Sequence, residues 1–240
     1  MDASVIPALG LGFLLGLTHA LDADHLAAVG TLVCESRGLR RSSLLGASWG
    51  VGHSLSLLVA GLLVLGLRFT IPLRLSAAAE FAVGLMLVGL GARAIWKVLR
   101  EKRLHWHLEE RDGVRHLHLH AHRVPDGAPH AYSHPFPLER RPFLVGCLHG
   151  LAGSGPLTLL VLTTLSSPLA GLTYLGLFSL GSIAGMTLLS GLLSLPVAYA
   201  LQRGAKFARL VRMAAGAISL VLGLALAGEI VAGGELLGRG

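Results

Sequence analysis

Six long apolar stretches, residues 5–33, 44–67, 76–99, 142–165, 169–200 and 210–231, alternate with polar segments along the chain. Each reaches or exceeds the roughly 20 apolar residues a helix needs to cross a hydrocarbon core, so the pattern predicts about six transmembrane helices. The first and fifth stretches are longer than one span requires, which leaves room for tilt, a kink or a broken helix. Only one polar segment is long, residues 100–141. The predicted organisation is therefore three helices over 1–99, a loop over 100–141, and three helices over 142–240.

Composition agrees with a bilayer as the solvent. The chain is 53% hydrophobic and 14% charged, with a mean hydropathy of +0.68, well outside the usual range of a soluble domain of 240 residues. Charge then sets the expected orientation. If the helices alternate, one side of the membrane receives Arg37, Arg40 and Arg41, the segment from Arg93 to Arg141, and Arg203, Lys206, Arg209 and Arg212, which is 17 of the 20 Lys and Arg. The other side keeps Arg68, Arg74 and Arg239. Because positive loops stay inside, both termini are expected outside a multi-pass protein of the cell (cytoplasmic) membrane, with 100–141 in the cytoplasm. The pI near 10.2 is thus a matter of topology and implies no nucleic-acid partner. Met1 to Ser4 carry an aspartate and no basic residue, so no cleaved signal peptide is expected. Cys34 and Cys147 form no paired-thiol motif and suggest no disulfide framework.

A weak internal repeat halves the problem. "GLTHALDADH" at 16–25 aligns with "GCLHGLAGSG" at 146–155, matching Gly16 to Gly146, His19 to His149 and Leu21 to Leu151. "SWG" at 48–50 falls over "SLG" at 179–181, and Gly84 and Gly91 fall over Gly216 and Gly223. Since each half holds an odd number of spans, the second half enters the membrane the other way up. The fold class expected is an all-α integral membrane protein, about six helices in a 3+3 inverted repeat, with its site near the midplane between the halves.

The first stretch contains four ionisable groups, His19, Asp22, Asp24 and His25. An aspartate at a helix centre costs about 2.5 to 3.5 kcal/mol on an insertion scale, so the group is expected to face the bundle interior and to hold a partner. On a regular helix His19, Asp22 and His25 share one face, and Asp24 points nearly opposite; both carboxylates are used only if the segment distorts or if Asp24 serves a different neighbour. Imidazoles with carboxylates suit borderline divalent ions such as nickel, cobalt, zinc or copper(II). The second stretch adds His53 in "GVGHSLSLL", where small residues permit close helix approach and the hydroxyl of Ser54 is placed to orient a ligand. In the second half, His149 precedes a Gly-Ser-Gly-Pro run. There Pro156 disfavours a regular helix, so Ser154 and Pro156 are candidates for lining an ion path.

Eight of the twelve histidines lie in the loop, at His105, His107, His116, His118, His120, His122, His130 and His134. A histidine-rich tract reads as metal binding, here an auxiliary, mobile segment that captures or buffers ions. Pro125, Pro129, Pro135 and Pro137 argue against a long regular element in its second half.

"HALDADH" carries the H-x4-D-H signature of the nickel/cobalt transporter family as His19, Asp24 and His25, and "GVGHSLSLL" resembles that family's second motif. Where larger members have an Asp-Thr-Ala-Thr-Glu motif, this chain has "HGLAGSGPLTLLVL", similar to the compact urease-accessory-type branch. The resemblance implies metal roles for His19, Asp24, His25 and His53, leaving Asp22 as an orienting or alternative ligand. It also implies a transported Ni2+ or Co2+ ion and no organic cofactor. The implied partners are the lipid bilayer, the ion, and a cytosolic metal chaperone or a nickel-enzyme maturation protein.

The function expected is a secondary transporter of nickel or cobalt, with uptake favoured, and not an enzyme. No Walker motif supplies a P-loop for ATP, and ligands that must shed protons to bind metal offer proton coupling instead. The alternatives are a membrane-embedded nickel-binding accessory protein, a metal efflux protein and, with less support, an intramembrane metal-dependent hydrolase. A hydrolase needs no repeat, and no H-E-x-x-H is present.

Overall fold

The computed structural model describes residues 5–36, 38–67, 72–100, 105–111, 114–120, 139–152 and 167–234. These form a helical bundle: α1 (Val5–His19), α2 (Ala23–Val33), α3 (Leu39–Leu67), α4 (Leu73–Arg100), α5 (Arg140–Gly150), α6 (Pro168–Gln202) and α7 (Ala205–Ala232). Four of them, over Leu39–Val64, Leu73–Arg100, Leu169–Gln202 and Ala205–Ala232, are long and apolar enough to cross a bilayer. Large apolar side chains such as Leu62, Leu85, Leu188 and Leu224 stand on the outer surface, as they do where the solvent is lipid.

The first apolar stretch is broken. α1 ends at His19, the amides of Leu21 and Asp22 bond back to the carbonyls of Thr18 and His19 (2.8 and 3.1 Å), and α2 restarts with Leu26 N–H on the Asp22 carbonyl (2.9 Å). The fourth stretch is described as α5 and the turn after it; Ser154 and Pro156 lie outside the described residues. The fifth, by contrast, is one continuous helix of 35 residues with Pro196 inside it.

The expectation of a purely helical chain needs one addition among the described residues. Strands β1 (His105–Arg111) and β2 (Val114–His120) pair as an antiparallel hairpin. Their sequences, His-Trp-His-Leu and His-Leu-His-Leu-His, alternate with the two-residue period of a strand. The proline-rich second half of the loop lies outside the described residues.

Glycines let the helices touch backbone to backbone, the usual way membrane helices gain contact. A Cβ at Gly16 would overlap the Phe178 carbonyl and one at Gly181 the Phe13 carbonyl, so α1 packs on α6. Likewise Gly146 sits on the Trp49 carbonyl and Gly52 on the Phe143 carbonyl, joining α5 to α3. Gly12 meets Tyr174 where Gly16 meets Phe178, and Gly146 meets Trp49 where Gly150 meets His53, so residue numbers rise together and each pair of helices runs parallel. Gly84 meets Gly223 and Gly91 meets Gly216, so α4 and α7 run antiparallel, with Ser219 Oγ donating to the Leu87 carbonyl (2.9 Å).

One end of the bundle is basic. There Glu35, just past α2, meets Lys97 (2.9 Å) and Arg93 (3.8 Å) of α4, and Arg41 of α3 meets Glu139 before α5 (3.4 Å). A cavity of about 200 Å³ lies beside them, lined by Thr31, Cys34, Glu35, Lys97, Leu201 and Arg212.

Candidate metal site

The break between α1 and α2 places its polar groups inside the bundle. His19 ends α1, and its Nδ1 lies 2.7 Å from Asp22 Oδ2. An ionised carboxylate only accepts, so Nδ1–H is the donor and Nε2 keeps its lone pair. Asp22 caps α2 by position only: it makes no side-chain cap bond, its carboxylate being turned to His19, and its side chain is 56% exposed.

Asp24 stands in the first turn of α2, where the positive end of the helix dipole favours an anion. It accepts from the backbone N–H of His25 (2.8 Å) and bridges two rings, with Oδ1 2.9 Å from His25 Nδ1 and Oδ2 2.8 Å from His149 Nε2. Such carboxylate–histidine contacts fix ring orientation and raise the basicity of the other nitrogen. His149 comes from the end of α5, so this bridge joins the break in the first apolar stretch to the helix that opens the second half of the chain.

His53 enters from α3 and is fully buried, as are His25 and His149 to within 2%. The rings pack closely: His25 to His149 at 4.1 Å between centroids, His19 to His25 at 4.4 Å, His19 to His53 at 5.1 Å and His25 to His53 at 5.3 Å. Trp49 lies against His25 (5.2 Å) and Phe178 against His19 (5.6 Å).

Five buried ring nitrogens, His19 Nε2, His25 Nε2, His53 Nδ1, His53 Nε2 and His149 Nδ1, have no protein hydrogen-bond partner. A buried polar group left unpaired costs about 1–3 kcal/mol, so five in one place call for a ligand they share. Two sets could hold a cation, His19/His25/His53 and Asp24/His25/His149, each with one ligand atom per residue and those atoms within 4.8 Å of one another. Two ligands on one ion at about 2.1 Å lie no more than about 4.2 Å apart, so a small inward movement closes either set.

The structure thus gathers His19, Asp24, His25, His53 and His149, all anticipated from sequence. Asp22 lies outside both sets and holds His19 in place. Ser54 is buried but donates to the Ser179 carbonyl (3.2 Å), tying α3 to α6. In the loop, strand register sets His105 opposite His120, His107 opposite His118 and Glu109 opposite His116; His122, His130 and His134 lie outside the described residues. The aromatic walls Trp49 and Phe178 were not singled out as site residues; the tryptophan four positions before His53 was the available signal.

A family model described as NicO, high-affinity nickel-transport protein, matches residues 5–234. Among curated proteins, "Urease accessory protein UreH" of Bacillus sp. (strain TB-90) is 36% identical over 198 residues, covering 81% of this chain and 79% of that protein. "Chloroplast protein FOR GROWTH AND FERTILITY 1" of Arabidopsis thaliana is 30% identical over 177 residues, 73% of this chain but 46% of that longer protein. No solved structure matches the chain.

Proposed function

From the premise that this chain belongs to the NicO family of high-affinity nickel-transport proteins, we propose that it carries nickel or cobalt across the cell membrane, in the direction of uptake. The observation that carries the reading is the convergence of five unpartnered, buried imidazole nitrogens where the break between α1 and α2 meets the end of α5. His19, Asp24, His25, His53 and His149 replace the hydration shell of the ion, and Asp22 orients His19. Ser154 and Pro156 continue the path, with Ser54 securing the helix beside it. The chain has no P-loop, so protons displaced from the ligands, or the membrane potential, supply the coupling.

The architecture that goes with this reading is six spans in a 3+3 inverted repeat over 1–99 and 142–240. The packing supports it, because contacts occur in equivalent pairs. Gly16 on Phe178 answers Gly146 on Trp49, Gly181 on Phe13 answers Gly52 on Phe143, and Gly84 on Gly223 answers Gly216 on Gly91. These pairs equate Trp49 with Phe178 and Gly52 with Gly181, two residues away from the match of "SWG" to "SLG". The basic end faces the cytoplasm, where the histidine-rich loop over 100–141 buffers ions leaving the site and a metal chaperone or nickel-enzyme maturation protein collects them.

The likeness to a urease accessory protein favours a second reading, a membrane protein that binds nickel for delivery without moving it. Uptake of radioactive nickel and cobalt into proteoliposomes separates the two. The expected result is transport by the wild type, a loss of about tenfold or more in His19→Ala and Asp24→Ala, and retention in a variant lacking residues 104–134. A wild type that binds the ion and carries none would overturn transport in favour of delivery.

A further inference from the structure

The two ligand sets share His25, yet they differ in every other member and in what an ion must displace to enter them. In His19/His25/His53 each ring offers a nitrogen with no protein partner, so an ion enters without breaking a hydrogen bond. In Asp24/His25/His149 the carboxylate already holds both rings, at 2.9 and 2.8 Å, so an ion must replace those contacts. The first set consists of neutral imidazoles alone. The second adds a carboxylate, which offsets part of the charge of a dication in a low-dielectric interior.

The sets also meet different aromatic walls. α3 runs from the basic end, and Trp49 stands four residues, about 6 Å, nearer that end than His53. His25 and His149 pack on Trp49, at 5.2 and 5.6 Å, whereas His19 packs on His53 and Phe178. Moving from the first set to the second therefore takes an ion a few ångströms, from the side of Phe178 toward the side of Trp49. It also passes the ion from ligands of residues 19–53 alone to a set that includes His149 of the second half.

We propose that His19/His25/His53 and Asp24/His25/His149 are two successive, mutually exclusive positions for one ion, with His25 retained throughout as the pivot of the hand-over. This rests on the metal-site reading above and adds its order: the imidazole set receives the ion, and the carboxylate set draws it inward as Asp24 exchanges its hydrogen bonds for the metal. Because the positions share a ligand, the membrane site holds no more than one ion at a time.

The test uses full-length protein in which the eight loop histidines are replaced by serine, so that only the membrane site is read, in lipid nanodiscs with cobalt(II) as the probe, following stoichiometry, affinity and the X-ray absorption spectrum. His53→Gln and His149→Gln each retain one cobalt per chain, with different ligand sets: the carboxylate is among the ligands in His53→Gln, and the spectrum of His149→Gln matches an imidazole set. The double variant and His25→Gln lose affinity by about a hundredfold. If either single variant weakens binding as much as the double, there is one composite site and the proposal fails. If the double variant binds as well as the wild type, neither position exists. In proteoliposomes, His149→Gln keeps its half-saturating cobalt concentration within about threefold but loses about tenfold or more in maximal rate; an undiminished rate would take the inner position off the path. Wild-type protein that shows both bound forms but no flux would refute transport while leaving the two positions established.

Discussion

Asp22 illustrates how much an exposed residue can matter to a buried one. Its side chain is more than half exposed, yet its carboxylate is 2.7 Å from the Nδ1 of a histidine that is only 10% exposed. Removing the charge while keeping the shape leaves the fold untouched, since Asp22 makes no helix-capping bond. It frees the His19 ring to rotate and lowers the basicity of its Nε2. Asp22→Asn is therefore expected to weaken cobalt binding by about 10- to 100-fold with no change in thermal unfolding of the metal-free protein, as measured by calorimetry on the two variants. Equal affinities would mean that His19 is either held by packing against Phe178 and His53 or not a ligand.

At the level of the helix, contact depends on glycine where backbones meet and is indifferent to it elsewhere. α4 carries both cases two residues apart. A Cβ at Gly91 would come within 2.5 Å of the Gly216 carbonyl and 2.6 Å of the Leu220 amide nitrogen, whereas one at Gly89 would meet nothing within 4 Å. Gly91→Ala is expected to destabilise the protein by about 1–3 kcal/mol, because two rigid backbones must separate. Gly89→Ala is expected to be neutral or to stabilise by up to about 1 kcal/mol, through helix propensity alone. Melting temperatures in one detergent compare them directly, and equal shifts would show that the α4–α7 contact is looser than described. The break at Ala20–Asp22 belongs to this scale too, because it turns Asp24 toward His25 and His149 where a regular helix would have turned it away from the site.

Over the whole molecule, charge decides which end faces which compartment. Glu35, Lys97, Arg93, Arg41 and Glu139 meet at one end through ion pairs between elements, while Arg74 begins α4 at the other. In the proposed orientation, which follows the positive-inside rule, the first end faces the cytoplasm. In a background with Cys34 and Cys147 replaced by serine, Arg74→Cys is expected to react with a membrane-impermeant thiol reagent in intact cells, and Arg203→Cys only after lysis. The reverse pattern would invert the direction in which the two ion positions are crossed.

The amino-acid sequence by itself was enough to establish the solvent and the family signature, and to name the ionisable residues that the structure gathers. Each of these is written in local patterns: apolar runs long enough for a bilayer, and ionisable side chains too unfavourable there to stand without purpose. It also offered a match of His19 to His149 across the two halves, which belongs with the proposed inverted repeat. The four long helices differ from the apolar runs by a few residues, mostly at the basic end, because helical hydrogen bonds continue past the hydrocarbon core into polar flanks. Helix spacing alone left the roles of the two aspartates open, since they depend on a distortion at Ala20–Asp22, and only the family resemblance separated Asp24 from Asp22. Out of reach was the strand pairing within the histidine-rich loop, where alternation with leucine was visible but read only as a metal-binding composition. Tertiary structure alone decided that His53 has no backbone carbonyl to bond, that Asp24 bridges two histidines, and that His25 stands between two ligand sets. These are distances between groups far apart in sequence, set by how closely glycine lets the helices approach.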